Sequence, residues 1–335
     1  MRVDYPDFTN SRSQVGRWEQ QMKAAGINMV GLGAGRLEWT YFKWAGHEAN
    51  WASFVRDTGI DYLAVDAARF GQWAQVNAVV DVLSPNYIKA HPGSAAIGVD
   101  GVPNTNLVST TELTSGKYGQ QLLAMIEYIA ANYPVDSISL TELFSGVAGY
   151  GPDDKASYMS YSGNSDWPRN PDGTIAINDK SIGDWRTHVL DVYLDKIVAV
   201  CHKYGKQFFL DVTLDYGSTP GSLAHVTNEH GINYSVVLDH TDRLIVWGYF
   251  ALDGFPPEYL QNVAQFLTGF GQDRVILSIG LWGKNNSVVS ADELRRAILA
   301  SQAGGMSNLW ITPGSRMSAN HWKVLDELWG TSVSP

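Results

Sequence analysis

At 335 residues, 44% hydrophobic and 17% charged, the chain has the make-up of a soluble globular protein, with length for one large core or two ordinary ones, which excludes a disordered polymer. A net charge of -10 with no clustered run of Lys or Arg excludes a nucleic-acid or anionic-membrane surface. No stretch approaches the ~20 apolar residues of a membrane span, Met1 to Pro6 lacks the apolar core of a secretory signal, and the single Cys201 forms no intrachain disulfide.

Taken in order, Val15 to Ala25 has helical periodicity and stops at Gly26, and Ile27 to Gly33 reads as a first buried strand. A helix over Trp51 to Thr58 precedes a second strand, Tyr62 to Asp66; a short helix from Phe70 to Gln75 precedes a third, Ala78 to Leu83. A long loop, Ser84 to Ser115, carries Pro85, Pro92 and Pro103 and leads into an amphipathic helix from Tyr118 to Tyr133. The fourth strand, Ile138 to Glu142, lies in an apolar run bounded by Pro134 and Gly146, and it ends by delivering one carboxylate. About forty residues of polar and aromatic loop follow, far more than an ordinary connection, and such an insert commonly walls a cleft; the plainer reading is an Ω-type excursion held by Trp167 and Trp185.

A helix from Trp185 to Tyr204 then precedes a fifth strand, Gln207 to Thr213, and Asn233 to Asp239 precedes a sixth, Leu244 to Tyr249. A proline-started helix, Pro257 to Phe270, precedes the seventh, Arg274 to Leu281, and helix Ala291 to Ala303 precedes the eighth, Asn308 to Thr312. Helix Ala319 to Trp329 closes the pattern. Eight short apolar strands alternating with helices predict a (β/α)8 barrel, one domain over residues 1–330 with long loops after strands three and four, and a linker-like tail over 331–335 that suits one domain of a larger protein. The rival, an open doubly wound sheet, is disfavoured because Gly31-Leu-Gly-Ala-Gly35 has the wrong spacing for a dinucleotide fingerprint; those glycines fit close backbone packing at a rim better than phosphate binding.

In such a barrel the strands' carboxyl ends form the active site, so the residues there define the candidates. Strands two to five offer Asp66, Asp81, Glu142 and Asp211, with Asp215 a little beyond; strands six to eight offer Trp247, Tyr249, Trp282 and Trp310. Two carboxylates flanking one bond are what glycosidic hydrolysis requires, one as protonated acid and one as nucleophile or base. Flat rings are what sugar faces stack on, although burial is the commoner use of a Trp. Glu142 is the general acid of choice, because Glu is a poor cap and seldom ends an apolar strand without a task. Asp211 is the second carboxylate, with Asp81 behind it. Asp66, Asp81, Arg36, Trp247, Tyr249, Trp282 and Trp310 form the expected substrate-binding set. Asp66 and Asp215 serve equally well as helix caps, and Asp81 could pin the turn before Pro85. His188, His202 and His225 have no metal-ligand spacing, no Gly-x-Ser-x-Gly elbow occurs, and no metal or cofactor is expected. A lyase or aldolase would want a strand-end Lys, and Lys284 lies past its strand.

The eight-strand count and the Thr-Glu-Leu-Phe ending of strand four resemble the superfamily of (β/α)8 glycoside hydrolases, a resemblance spanning Ile27 to Trp329 as architecture. It implies an acid/base role for Glu142. It implies no nucleophile: the retaining clan places Asn before the strand-four Glu and a second Glu at the end of strand seven, whereas Thr141 and the acid-free Ser278-Ile-Gly-Leu-Trp282 stand here. The chitinase-like Asp two residues before the Glu is replaced by Leu140. The Tyr133-Pro-Val-Asp-Ser-Ile-Ser segment, the Asp166-Trp-Pro-Arg169 loop and the tail are similar to glycosidase-like domains in minor tail proteins of phages that infect actinobacteria, which implies an extracellular or virion-associated setting. The expected partner is a polysaccharide, such as a bacterial envelope glycan, with no nucleic acid and no membrane insertion. The alternative is a barrel that binds glycan without cleaving it.

Overall fold

The computed structural model describes residues 2–5, 12–51, 59–143, 148–214 and 232–330. In chain order the elements are β1 (Arg2–Tyr5), α1 (Arg12–Ala24), β2 (Met29–Arg36), β3 (Trp39–Thr40), α2 (Tyr62–Phe70), β4 (Gln75–Asp81), α3 (Pro85–Ala90), β5 (Ala95–Ile97), β6 (Pro103–Val108), α4 (Thr110–Thr114) and α5 (Lys117–Asn132). Then come β7 (Ser137–Thr141), α6 (Pro152–Ser162), α7 (Lys180–Lys203), β8 (Gln207–Val212), α8 (Tyr234–Asp239), β9 (Arg243–Gly248), α9 (Phe250–Asp253), α10 (Leu260–Leu267), β10 (Val275–Gly280), α11 (Ala291–Ala303), β11 (Leu309–Thr312) and α12 (Ala319–Trp329).

Eight of the strands run parallel in the order β1-β11-β10-β9-β8-β7-β4-β2, and β1 also pairs with β2, so the sheet curls round its own interior. β3 folds back antiparallel on the end of β2. Alternation along each strand splits the apolar residues into two sets. The outward set, such as Val76, Ala78, Val80, Ile138, Leu140, Leu210 and Leu277, belongs to the main core with Leu122, Ile126, Leu194 and Ile197 of the helices. The inward set, Met29, Phe209, Ile245, Ile276 and Trp310 with Val79 against it, forms a separate plug inside the sheet. Polar inward residues are paired there: Asn77 Nδ2 donates to Ser137 Oγ at 2.8 Å and Ser139 Oγ donates to Asn77 Oδ1 at 2.9 Å, as burial of polar groups demands.

One predicted strand is a helix. Tyr62 to Asp66 belongs to α2, where Tyr62, Leu63, Asp66, Ala67 and Phe70 are buried at helical spacing and Asp61 caps the first turn by accepting the Ala64 N–H at 3.0 Å. Four mixed-size apolar residues looked strand-like, and the Asp61 cap decided otherwise. The strand missing from the sequence count is β1, too short and polar to signal itself. The two errors cancel, and β7 is the fourth of the parallel strands in chain order, as expected. The predicted helix from Trp51 to Thr58 falls almost wholly outside the described residues.

The inserts also have structure of their own. After β4 come α3, the β5–β6 hairpin and α4. After β7, α6 and the start of α7 hold a third cluster of Tyr150, Tyr158, Trp167, Ile182 and Trp185, in which Tyr158 stacks on Trp167 at 4.5 Å and Trp185 Nε1 donates to Ser157 at 3.0 Å. The plainer reading, an excursion stapled by Trp167 and Trp185, describes this insert; among its described residues none lines the central cavity.

Candidate active site

At the carboxyl ends of the parallel strands lies a cavity of about 590 Å³, within the range of small-molecule sites. Its walls include Asp81, Thr141, Glu142 and Asp211 on one side and Trp247, Tyr249, Ser278, Trp282 and Trp310 on the other. Register explains the acidic wall. Asp81 on β4 pairs with Thr141 on β7, and Asp211 lies one residue beyond the Leu140–Leu210 pair of β7 and β8. The three therefore stand at one level on adjacent strands, all facing inward.

Glu142 needs a further device. Successive strand residues point to opposite faces, so the residue after inward Thr141 should point out, yet both line the cavity. The chain achieves this by putting Glu142 in the left-handed region, φ 63°. A non-glycine residue there costs on the order of 1 kcal/mol, and such conformations cluster at working sites.

The electrostatics separate the two nearest acids. Asp81 has both carboxylate oxygens engaged: Oδ1 accepts the Leu83 N–H at 2.7 Å, and Oδ2 meets Arg36 at 2.8 Å. Burial still raises its pKa, against the Leu83 N–H and Arg36. Glu142 has no side-chain hydrogen bond or ion pair among the described residues; burial first, and the Asp81 charge second, push its pKa up to about 7, with Arg36 pulling the other way. Of the pair, Glu142 is the one that holds a proton near neutrality. It also borders a small apolar pocket formed with Val82, Leu107 and Leu143, which supplies the low-dielectric side that disfavours its charge.

The aromatic wall is preorganised. Trp247 and Tyr249 stack at 5.2 Å with planes 8° apart, and Tyr249 meets Trp282 at 5.1 Å. Gly280 makes room for this: a Cβ there would lie 2.4 Å from the Tyr249 ring. Trp310 is 2% exposed and belongs to the interior plug, so it is the floor of the cavity rather than a projecting platform.

Two members of the expected set stand elsewhere. Asp66 is buried on α2, a helix rather than a strand end, and does not line the cavity. Arg36 does not line it either; its guanidinium lies 5.0 Å from the Trp39 ring and clamps Asp81 from behind. Asp215 lies outside the described residues. Sequence reasoning missed Trp39 and Tyr41, which wall the cavity and meet edge to face at 5.2 Å. Their alternation, Trp39-Thr-Tyr41, was the available signal. It depends on Gly35, φ +111°, where a Cβ would fall 2.3 Å from the Trp39 carbonyl oxygen and forbid the β2–β3 hairpin. No group of three or more His, Cys, Asp or Glu suited to a metal ion occurs among the described residues, and none of their helices is long and apolar enough to cross a membrane.

No family model matches the chain, and no curated protein matches it. Its fold is similar to those of solved glycoside hydrolases. The PgaB (BpsB) glycoside hydrolase domain from Bordetella bronchiseptica superposes with a TM-score of 0.71 at 14% identity over 98% of both chains. The β-galactosidase from the psychrophilic Marinomonas ef1 gives 0.70 at 13% identity over 98% of this chain and 58% of that one. The catalytic domain of β-amylase from Paenibacillus polymyxa gives 0.65 at 13% identity, over 97% of this chain and 96% of that one. At such identities the likeness is one of fold.

Proposed function

We propose that the chain is a glycoside hydrolase on a complete (β/α)8 barrel, taking a segment of polysaccharide into the cavity with Glu142 as general acid and Asp211 as second carboxylate. The observation that carries this reading is Glu142 itself: turned into the cavity by a left-handed backbone, free of hydrogen bonds among the described residues, and titrating at about 7. A carboxyl that keeps its proton near neutrality can give it to the glycosidic oxygen as the C–O bond breaks, so the leaving sugar departs as a neutral alcohol. Positive charge then develops at the anomeric carbon. Asp211, inward on the neighbouring strand, either bonds to that carbon or takes a proton from the water that does. Asp81, fixed by Arg36 and Leu83, acts as the standing charge that keeps Glu142 protonated. The aromatic wall stacks on the sugar rings and the cavity admits a few of them.

The resemblance to phage tail domains supports an envelope glycan as target and an extracellular or virion-associated setting. One observation favours the second reading, a glycan-binding barrel without catalysis: β10, where many barrel glycosidases keep their nucleophile, gives the cavity Ser278 and no acid.

Leaving-group dependence tests the acid role. Glu142→Gln should slow cleavage of an unactivated glycan by about 10²–10⁴-fold, while hydrolysis of a dinitrophenyl glycoside, whose leaving group needs no proton, falls far less. Equal losses on both substrates contradict the assignment.

A further inference from the structure

Resting on the reading that the cavity holds glycan, we infer that it selects by charge: it takes neutral or amino-bearing glycans and rejects those carrying carboxylate or phosphate. The cavity wall has three acids, Asp81, Glu142 and Asp211, and among the described residues neither Lys nor Arg. The nearest cation, Arg36, is committed to Asp81 at 2.8 Å. At the same end of the sheet, Lys43 Nζ donates to the Gly59 carbonyl at 2.9 Å, Arg316 donates to the Ser287 carbonyl at 3.2 Å and to Asn286 Oδ1, and Lys284, in the turn after β10, lies against Gly254 and does not line the cavity. Arg186, beyond Glu142 on the small apolar pocket, donates to the Ala148 carbonyl at 3.0 Å.

Recognition of a sugar carboxylate or phosphate ordinarily uses Arg or Lys in charge-assisted hydrogen bonds, and like charges brought together without one are strongly disfavoured. The opposite wall acts in the same direction. The faces of Trp247, Tyr249 and Trp282 carry the negative part of the ring quadrupole, which attracts an ammonium and repels an anion. Both walls therefore oppose an anionic sugar, and a glucosamine-type ammonium is favoured by both.

Binding of the Glu142→Gln protein to immobilised polysaccharides tests this, with β-glucan, galactan, arabinogalactan and chitin as neutral probes, chitosan as the cationic probe, and polygalacturonate and a phosphodiester-linked teichoic acid as anionic ones. Trp247→Ala identifies binding in the cavity by weakening it about tenfold. The expected result is cavity binding confined to neutral or cationic glycans, with anionic ones about tenfold or more weaker at low salt. Chitosan binding should weaken as salt is added. Cavity binding of polygalacturonate or teichoic acid as tight as that of the best neutral glycan overturns the inference, and so does failure of every glycan to bind. The expected ranking with no product released by the unmodified protein leaves charge selection standing and removes the hydrolase reading.

Discussion

Replacing Glu142 by Gln should make the protein more stable, and increasingly so as pH rises. In the folded chain this carboxyl titrates at about 7 against an ordinary 4.5, because burial and the Asp81 charge both oppose its ionisation. Below pH 4.5 the side chain is neutral in folded and unfolded chains alike, so it gives no pH-dependent difference. Between 4.5 and 7 the unfolded chain releases the proton and the folded chain keeps it, so folding loses stability through that window, and the loss is complete above about 7. A shift of this size corresponds to about 3 kcal/mol at most, and to about 1–2 kcal/mol after discounting for the solvent that reaches a half-buried group. Gln keeps the shape and the left-handed backbone while removing the titration. Urea unfolding of both proteins at pH 4.5, 6 and 8 reads the difference directly, through the midpoint at constant slope. The expected gap is near zero at pH 4.5 and grows in favour of the variant to pH 8. A gap that does not change with pH, or a variant less stable at pH 8, would refute the claim that Glu142 is held protonated by its surroundings.

Asp81→Asn removes the negative charge facing Glu142 and leaves Arg36, which lowers the Glu142 pKa; the alkaline limb of the activity profile should move to lower pH, and an unmoved limb contradicts the coupling. Gly35→Ala brings a Cβ to within 2.3 Å of the Trp39 carbonyl at a positive φ, so thermal unfolding should register a loss of about 2 kcal/mol or more, with glycan binding weakened because Trp39 and Tyr41 shift. Trp247→Ala deletes one of two rings stacked at 5.2 Å and should weaken glycan binding by about tenfold in titration calorimetry, with little change in the folded state's circular dichroism.

Strands that bury both faces were legible because they are short, branched and apolar: β7, β8, β9, β10 and β11 lie where Ile138, Phe208, Leu244, Val275 and Leu309 announce them. Where local chemistry decided against the apolar pattern, reading failed. Asp61 turned Tyr62 to Asp66 into a helix, and with it removed Asp66 from the strand ends. β1 owes its place to the two strands it pairs with, Met29–Leu32 of β2 and Trp310–Ile311 of β11, neither of which is local in sequence. Glu142, Asp211 and Asp81 could be named and ordered from their strands, but the contacts that distinguish them could not. Those come from partners far apart in sequence, Arg36 on Asp81 across forty-five positions, and from a backbone turn at Glu142 that no residue type predicts. Trp39 and Tyr41 escaped because a two-residue strand carries too little pattern, although Gly35 marks the hairpin that aims them.

The most direct test of the central claim is release of reducing ends from a panel of neutral, amino and acidic polysaccharides by the unmodified protein, Glu142→Gln and Asp211→Asn, all at pH 6. Release by the unmodified protein from at least one neutral or amino polysaccharide, lost in both variants while each still binds that glycan, is the predicted result. Undiminished release by Glu142→Gln, or no release by the unmodified protein from any glycan that it binds, contradicts it.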